Sequence, residues 1–323
     1  MNHLRIATAQ FEHRNGDKAH NRQRLRELAQ QAKQQGAQVV AFHECALSGY
    51  AFVRHLAFSQ LQEVAEAVPD GESTRWLIQL AGELEMTILA GLYESDTAGR
   101  VYNTYVCVNA DGLLAQHRKL HPFIHSQLTP GDQYTTFTLH GWTCGILTCY
   151  DNNILENVRA TRLLGADVLF MPHVTMGTPS TRPGAGYYDA NWEERETNPT
   201  ALRTEFDGLK GRAWLMKWLP ARAYDNALYA IFANAIGMDD DQLKNGCSMI
   251  LDPFGDVIAE CRRLGDEVTT ATCTPEKLTQ AGGHRYRQAR RPELYRDILG
   301  QTHTAEQQVV WLEADADQST KGA

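Results

Sequence analysis

A cysteine at the end of an apolar run is the first residue of this sequence that could do chemistry. In "GILTCYDNNILENVRA", residues 145–160, Cys149 lies between the apolar run and a helical pattern. Unpaired N–H groups at a helix N-terminus favour a thiolate and can hold a developing oxyanion, which makes Cys149 a candidate nucleophile. A free cysteine also packs as a small hydrophobe, and this segment alone leaves both interpretations open.

Two charged residues also follow apolar runs. Glu44 ends "VVAFHE", residues 39–44, and Lys119 ends "NTYVCVNADGLLAQHRK", residues 103–119. Ligands of open α/β sheets bind outside the carboxyl ends of strands, so Glu, Lys and Cys at three strand exits together suggest one site. Taken singly, Glu44 is equally explained by a helix cap or an ion pair, and Lys119 by a solvated surface charge.

Alternating apolar and helical patterns supply the elements that must position these residues. Strands are predicted over 4–11, 39–44, 87–95, 142–150 and 167–174, and helices over 20–37, 71–85, 154–166 and 208–226. A hairpin turn is predicted at Asp111-Gly112, and further strands up to Thr274 precede an irregular, charged tail. This order is typical of an α/β fold.

Composition and charge exclude several classes of partner. The 323 residues carry a formal net charge of −8 with both signs mixed along the chain, so we expect no nucleic-acid partner. No apolar run approaches the length of a membrane span, and "MNHLRIATAQF" lacks the layout of a signal peptide. Seven scattered cysteines without a C-x-x-C pair indicate reduced thiols. We therefore predict a cytoplasmic protein without a membrane association.

One long stretch breaks the regular pattern. Residues 173–208 are rich in proline, glycine and aromatic residues and show no sustained period, as in functional lids or linkers. No linker-like composition occurs elsewhere in the sequence. We therefore predict a single domain over residues 1–274 that carries this insertion. A C-terminal extension, residues 275–323, is expected to contact other subunits or to be partly disordered.

The three charged or nucleophilic residues lie in motifs that resemble those of a known family. "AFHECALSGY", "HRKLHPF" and "GILTCYDNNILENVR" are similar, in order and spacing, to the glutamate, lysine and cysteine motifs of the nitrilase or carbon–nitrogen hydrolase superfamily. An N-x-x-G in "NAIG" and the D-P-x-G turn of "LDPFGD" follow, as in that family. The resemblance extends from the first strand to about Thr274.

The resemblance implies a four-layer α-β-β-α sandwich, assembled into homodimers or larger homo-oligomers, that hydrolyses non-peptide C–N bonds. It implies that Cys149 is the nucleophile, Glu44 the general base and Lys119 the cation that stabilises the tetrahedral intermediate. The backbone N–H of Tyr150 is the expected second oxyanion donor. The cycle would pass through a thioester acyl-enzyme and release ammonia or an amine, with no metal or organic cofactor.

The sequence departs from the family at one position. The family commonly has a second glutamate in the loop after the lysine, whereas "LHPFIHSQLTP", residues 120–130, contains no carboxylate. His125 or Gln127 could take over the positioning of substrate, or a carboxylate from the insertion could do so. His173, where the insertion begins, and Arg182 within it are further candidates for substrate contact.

The residues after Cys149 favour an amide as the substrate. "CYD" resembles the amidase-type branches, whereas true nitrilases commonly show a cysteine-tryptophan-glutamate sequence. An N-carbamoyl amino acid is the alternative, because arginines of the insertion could bind its carboxylate bidentately. Those arginines, Arg182, Arg195 and Arg203, could equally pair with acidic neighbours. Nearby aromatic residues could line a pocket, anchor the insertion or form a subunit contact.

Three other classes are weighed against this hypothesis. His117, His121 and His125 recur every fourth residue, but Pro122 interrupts any helix that would align them for a metal. A dinucleotide-binding enzyme would need a G-x-G-x-x-G after its first strand, and none is present. An inactive binding or assembly module would be expected to lose one of the three central residues, all of which this chain keeps.

Overall fold

Two six-stranded sheets form the centre of the molecule in a computed structural model that describes residues 1–178 and 184–303. The strands of the first sheet are β1 (Leu4–Gln10), β2 (Val39–Ala41), β3 (Thr87–Ser95), β4 (Val101–Asn109), β5 (Gly112–Arg118) and β14 (Glu267–Cys273). They are ordered β14-β1-β2-β3-β4-β5, with β1, β2 and β3 parallel and the other pairs antiparallel.

The second sheet has the same number of strands. They are β6 (Thr135–Leu139), β7 (Trp142–Ile146), β8 (Val168–His173), β9 (Tyr229–Asn234), β12 (Met249–Leu251) and β13 (Val257–Glu260), in the order β13-β12-β9-β8-β7-β6. Here β7, β8 and β9 are parallel. A separate hairpin consists of β10 (Ile236–Asp239) and β11 (Gln242–Asn245).

Helices cover the outer faces of both sheets. They are α1 (Lys18–Gln34), α2 (Phe58–Val64), α3 (Glu72–Leu84), α4 (Leu155–Leu163), α5 (Pro199–Asp207), α6 (Arg212–Leu215), α7 (Leu219–Asn226), α8 (Pro275–Gln280), α9 (Gly282–Gln288) and α10 (Arg296–Leu299). Side chains of α1 and α3, such as Leu25 and Leu77, pack on the first sheet. Val158 of α4 and Leu219 of α7 pack on the second.

The two sheets bury a shared core between them. Ile6 and Leu89 of the first sheet lie in one apolar cluster with Ile146, Phe170 and Ile231 of the second. Central strands are thus covered on both faces, which explains why β3 and β4 are almost continuously buried rather than alternating. The layers are helix, sheet, sheet and helix, and the predicted α-β-β-α sandwich is confirmed.

Most elements agree with the sequence prediction, but the strands before two site residues are shorter. The strand predicted over 39–44 ends at Ala41, and the one predicted over 142–150 ends at Ile146. Glu44 and Cys149 therefore lie in turns beyond their strands, where Cys149 begins a short 3₁₀ helix (Cys149–Asn152). The hairpin at Asp111-Gly112 is confirmed, since β4 and β5 pair antiparallel around it.

Two further expectations need correction. The single helix predicted over 208–226 is divided into α6 and α7, because Pro220 in the first turn of α7 lacks the N–H that a continuous helix requires. The tail predicted to be irregular contains α8, α9 and α10 up to Leu299. Within the described ranges, no helix is long and apolar enough to cross a bilayer.

The insertion contains a helix of its own. Leu202 and Phe206 of α5 are fully buried against Trp192 and against Ile236 and Leu243 of the β10–β11 hairpin. Sequence periodicity did not reveal α5, because its two buried residues are stabilised by contacts with a hairpin about 35 residues further along the chain. Trp192 therefore anchors the insertion to the rest of the fold.

Candidate active site

The structure brings Glu44 and Lys119 into direct contact although they are far apart in the sequence. Lys119 follows the last residue of β5, and its Nζ donates to Glu44 Oε1 at 2.7 Å. Both side chains are almost completely buried. A solvated surface lysine is therefore excluded, and of the alternatives weighed for Glu44 the ion pair, not the helix cap, is the contact that forms.

The turn that carries Glu44 needs close packing against β3. A Cβ atom at Gly91 of β3 would lie 2.2 Å from the backbone nitrogen of Cys45, so only glycine permits this approach. Cys45 itself has φ +49°, in the left-handed region. Close backbone contacts with the neighbouring strand thus fix the turn, and the turn fixes the position of Glu44.

The Glu44 carboxylate has one oxygen that is bonded twice and one that is not bonded. Oε1 accepts from Lys119 and, at 2.6 Å, from Asn103 Nδ2 of β4. Oε2 is buried and has no hydrogen-bond partner among the described residues. A buried acceptor without a partner is costly in a folded protein, and at this position it is available to take a proton from a reacting group.

Cys149 lies in the same cluster as a buried thiol. It is 8% exposed and has φ +50°, a backbone region that non-glycine residues rarely adopt and that often marks functional sites. Burial, together with the negative charge of Glu44, raises the pKa of Cys149 to about 12. The Lys119 charge and the backbone N–H of Val174 act in the opposite direction.

This environment corrects the expectation that a helix N-terminus would favour the thiolate. Cys149 begins a four-residue 3₁₀ helix, not the longer α4, and burial outweighs any such effect. The resting side chain is consequently a neutral thiol near pH 7. A nucleophile in this state needs a neighbouring base to remove its proton during attack.

Lys119 remains charged despite its burial. Burial alone would lower its pKa, but the charge of Glu44, its hydrogen bond with Glu44 and the charge of Asp151 outweigh that effect and raise the pKa above its usual value. Its Nζ also lies 4.8 Å from the ring centroid of Phe123 and 5.5 Å from that of Tyr50. The two aromatic faces favour the cation and limit the access of water to it.

Asp151 links the lysine and cysteine loops. Its buried carboxylate accepts from the backbone N–H groups of Leu120, His121 and Thr148 at 3.2, 2.9 and 3.1 Å. These bonds fix the chain after Lys119 to the turn that carries Cys149. Because its oxygens are occupied in this way, Asp151 acts as a structural carboxylate and does not present a free oxygen like that of Glu44.

His173 lies beside the cysteine turn. Its Nε2 is 3.2 Å from Asn152 Nδ2, and its ring stacks on that of Trp218 with centroids 5.7 Å apart. Burial and the charge of Lys119 lower its pKa well below the usual value, so the ring is neutral. His173 Nδ1, Asn152 Oδ1 and Trp218 Nε1 are buried without hydrogen-bond partners in the described part of the chain.

The other predicted site residues are placed differently. Tyr150 is 39% exposed, and its ring meets that of Phe123 edge-on at 5.7 Å. His125 bonds Leu56 O through Nε2 and the Gln127 backbone N–H through Nδ1. The side chain of Gln127 is exposed, and no described contact joins either residue to Glu44, Lys119 or Cys149. Arg182 lies outside the described residues.

Several described arginines and aromatic residues of the insertion contact other residues of the insertion. Arg195 donates to Trp192 O and lies 4.9 Å from the centre of that indole ring. Arg203 is 3.8 Å from Asp207 within α5. The Tyr188 ring packs against Phe206. These contacts favour the alternative in which Arg195 and Arg203 pair with neighbours inside the insertion.

The three regularly spaced histidines do not share a helix. His117 lies in β5 and contacts Asp151 and Thr135, whereas His121 and His125 lie in the following loop. Over the described ranges, no group of three or more His, Cys, Asp or Glu side chains is arranged to hold a metal ion.

Sequence reasoning did not identify Asn103 or Asp151. Asn103 could have been noticed as a polar residue within the apolar β4, because a buried amide requires a hydrogen-bond partner. Asp151 was visible in "CYD", but its role depends on the loop after Lys119, about 30 residues earlier. Neither residue carries a local pattern that reveals its partner.

Comparison with known proteins agrees with this geometry. The carbon-nitrogen hydrolase family model matches residues 5–282. An (R)-stereoselective amidase from a Pseudomonas species is 32% identical over 269 residues, which cover 82% of each chain. An omega-amidase from Xenopus tropicalis is 31% identical over 267 residues, covering 78% of this chain and 81% of its own.

Solved structures share the fold. The amidase from Nesterenkonia sp. AN1, as a double mutant in complex with acrylamide, superposes with a TM-score of 0.68 at 22% identity. The match covers 91% of this chain and 97% of that one. Nit3 from Saccharomyces cerevisiae, a nitrilase-superfamily member, gives a TM-score of 0.66 at 23% identity, covering 89% and 94%. From the family match and the identity to curated relatives, the chain belongs to the carbon-nitrogen hydrolase family.

Proposed function

We propose that this protein hydrolyses the C–N bond of small amides, with Cys149 as nucleophile, Glu44 as general base and Lys119 as oxyanion-stabilising cation. One observation carries the proposal: the free Oε2 of Glu44 belongs to the same buried cluster as a protonated thiol. The amidases among the curated relatives support the choice of an amide.

The first half of the reaction forms a thioester. Glu44 takes the proton of Cys149 as the sulfur attacks the amide carbonyl carbon, and the carbonyl oxygen becomes an oxyanion. The Lys119 ammonium and the backbone N–H of Tyr150 stabilise that charge. When the tetrahedral intermediate collapses, the C–N bond breaks and the proton held by Glu44 passes to the leaving nitrogen, which departs as ammonia or an amine.

The second half releases the acid. Water enters the position vacated by the amine and loses a proton to Glu44 as it attacks the thioester carbonyl. The second tetrahedral intermediate expels the Cys149 sulfur, which recovers the proton from Glu44. The carboxylic acid then leaves and the starting state of the enzyme is restored. Neither half requires a metal or an organic cofactor.

We further propose a cytoplasmic homo-oligomer. All seven cysteines are buried free thiols, as expected for a reducing compartment. Three leucines on and just after α4 are exposed and suit a subunit contact: Leu155, Leu163 and Leu164. In the proposed division of the chain, the family domain ends near Thr274 and the C-terminal extension takes part in that contact.

Ammonia release from a panel of small amides, nitriles and N-carbamoyl amino acids tests the proposed function, with mass spectrometry for an acyl adduct on Cys149. We expect turnover of amides, and loss of both turnover and adduct in Cys149→Ala. Cys144→Ala, which removes a thiol buried between the sheets, is the matched control and keeps the adduct. Turnover of nitriles alone, or turnover that survives Cys149→Ala, would overturn the proposal.

Glu44→Gln tests the proposed base separately. The substitution removes the group that takes the thiol proton during attack, so we expect iodoacetamide to alkylate Cys149 more slowly than in the wild type. Amide turnover should fall by about a hundred- to ten-thousandfold, the usual contribution of a general base. Alkylation at the wild-type rate together with retained turnover would exclude this role for Glu44.

A further inference from the structure

A tyrosine hydroxyl is buried beside the ion pair of Glu44 and Lys119 and takes no part in the mechanism above. Tyr50 is 3% exposed, and its hydroxyl has no hydrogen-bond partner among the described residues. Its ring centroid lies 5.5 Å from Lys119 Nζ. A buried hydroxyl without a partner is costly, so its presence beside the proposed reacting groups points to a ligand that completes it.

The fold positions Tyr50 through its backbone. Tyr50 belongs to the same loop after β2 as Glu44, and every residue from 44 to 51 is buried. Its carbonyl oxygen accepts from the Tyr93 hydroxyl at 3.2 Å, and the following N–H, that of Ala51, donates to Asp239 Oδ1 at 2.9 Å. These two bonds hold the chain around Tyr50 and leave the phenol oxygen unoccupied.

The hydroxyl of Tyr50 keeps its proton. Burial raises the pKa of Tyr50 well above its usual value, and the negative charge of Glu44 acts in the same direction. An ionised Cys149 would raise that pKa further, which places the tyrosine within electrostatic range of the nucleophile. Tyr50 Oη is therefore a neutral oxygen that can accept one hydrogen bond and donate another.

A bound amide needs acceptors for its nitrogen as well as donors for its oxygen. When the carbonyl oxygen faces Lys119, a primary amide still has two N–H groups to satisfy in a buried site. Within residues 1–178 and 184–303, two buried oxygens on the side chains around Lys119 have no partner: Glu44 Oε2 and Tyr50 Oη. Glu44 Oε2 is needed for the thiol proton, which leaves Tyr50 Oη as the acceptor.

We propose that the Tyr50 hydroxyl binds the leaving nitrogen of the amide and orients it for protonation by Glu44. The inference rests on the proposed amide hydrolysis and adds a residue that contacts its substrate. Tyr50 Oη accepts one N–H, which directs the lone pair that forms on nitrogen towards Glu44. The proton that Glu44 took from Cys149 then passes to this lone pair as the C–N bond breaks. Tyr50 itself gains and loses no proton.

Two leaving groups on one acyl group test this role. The primary amide and the methyl ester of the same small acid are compared, because the ester leaving group has no N–H. Tyr50→Phe keeps the ring beside Lys119 and removes only the hydroxyl. It should lower kcat/KM for the amide by about ten- to a hundredfold, the effect of leaving a buried N–H without an acceptor. For the ester, kcat/KM should change by less than about twofold.

A second buried tyrosine supplies the matched control. The Tyr105 hydroxyl already donates within the fold, to Phe42 O at 2.6 Å. Tyr105→Phe should therefore keep the wild-type ratio of amide to ester kcat/KM. If Tyr50→Phe slows the amide and the ester equally, Tyr50 only supports Lys119 and the surrounding loop, and the inference is wrong.

A bound structure tests the contact without the Tyr50 variant and without ester turnover. In a crystal structure of Cys149→Ala with the primary amide, the amide nitrogen should lie within about 3.2 Å of Tyr50 Oη. A nitrogen that bonds instead to Asn152 Oδ1, another buried oxygen without a described partner, would overturn the inference.

The outcomes separate this inference from the proposed function. Amide turnover by the wild type, with the same kcat/KM in Tyr50→Phe, removes the role of Tyr50 but leaves the proposed function intact. A wild type that hydrolyses no amide and forms no adduct on Cys149 overturns both.

Discussion

Lys119 and Lys244, a residue of β11, are both buried, yet their surroundings differ in one respect. Lys119 contacts the Glu44 carboxylate at 2.7 Å, and its pKa is raised. Among the described residues, Lys244 Nζ donates to a carbonyl oxygen and an amide oxygen, and burial lowers its pKa. Within residues 1–178 and 184–303, Lys119 has a carboxylate in contact and Lys244 does not.

This difference indicates what each lysine can do. A paired lysine is held in one position by its carboxylate, which suits a group that must meet an oxyanion at a fixed place. A lysine whose nearest acceptors are neutral oxygens gains less from them, so burial lowers its pKa. Burial alone therefore does not define the role of a charged side chain, since the identity of its nearest acceptors decides it.

Replacing the paired lysine should have the largest effect. Lys119→Met leaves the Glu44 carboxylate buried without its cation, so we expect the free energy of unfolding to fall by about 3–5 kcal/mol. Amide turnover should fall by about a hundred- to thousandfold through loss of an oxyanion donor. Lys244→Met leaves only neutral acceptors without their donor, so we expect the free energy of unfolding to fall by about 1–3 kcal/mol. Urea denaturation of both variants measures the contrast, and equal losses would contradict it.

A smaller effect is expected at the second donor to Glu44. Asn103→Leu removes the 2.6 Å bond to Oε1 but keeps the ion pair with Lys119, so Glu44 becomes less firmly positioned. We expect about a tenfold fall in kcat with little change in KM, consistent with the loss of one hydrogen bond to a charged group. Asn109→Leu, at the far end of β4, is the control. A rise in KM at constant kcat would mean that Asn103 binds substrate instead.

The smallest effect concerns the pH dependence of stability. The raised pKa of Lys119 means that its stabilisation is complete below about 10.5 and is lost as the pH rises through the higher folded-state value. The lowered pKa of Lys244 has the opposite effect on the pH dependence of stability. At pH values between the lowered pKa of Lys244 in the folded state and 10.5, the unfolded chain binds more protons than the folded chain. The free energy of unfolding therefore rises with pH in this range.

The two variants separate these contributions. The difference in unfolding free energy between wild type and Lys244→Met should grow as the pH rises towards 10.5, by at most about 1.4 kcal/mol per pH unit. The corresponding difference for Lys119→Met should stay constant over the same range. Chemical denaturation at several pH values measures both, and a Lys244→Met difference that shrinks with rising pH would refute the assignment.

Regular elements with strong local signals were predicted well. The strand over 87–95 coincides with β3, and the turn at Asp111-Gly112 joins β4 to β5. These succeed because apolar periodicity and turn chemistry act within a few residues. The division of 208–226 at Pro220 and the presence of α5 were missed. Helix α5 depends on burial of Leu202 and Phe206 against β11, and no short segment of sequence contains both sides of that contact.

The proposed reacting residues were accessible to sequence reasoning, but their supporting residues were not. Cys149, Glu44 and Lys119 follow apolar runs and lie in motifs similar to those of a known family. Asn103, Asp151 and Lys244 lie within strands or loops that look ordinary. What distinguishes them is the position of a partner elsewhere in the chain, such as Glu44 for Asn103 and Met176 for Lys244.

The sequence by itself determined the kinds of group available: a thiol, carboxylates and lysines beside buried strands, on an α/β chain of the carbon-nitrogen hydrolase type. Only the tertiary structure decided which lysine has a carboxylate beside it, that burial raises the pKa of the Cys149 thiol, and which oxygen of Glu44 has no hydrogen-bond partner among the described residues. The physical reason is that burial and pairing set the charge state of each group. Both depend on contacts between segments as far apart as Glu44 and Lys119, which are separated by 75 positions.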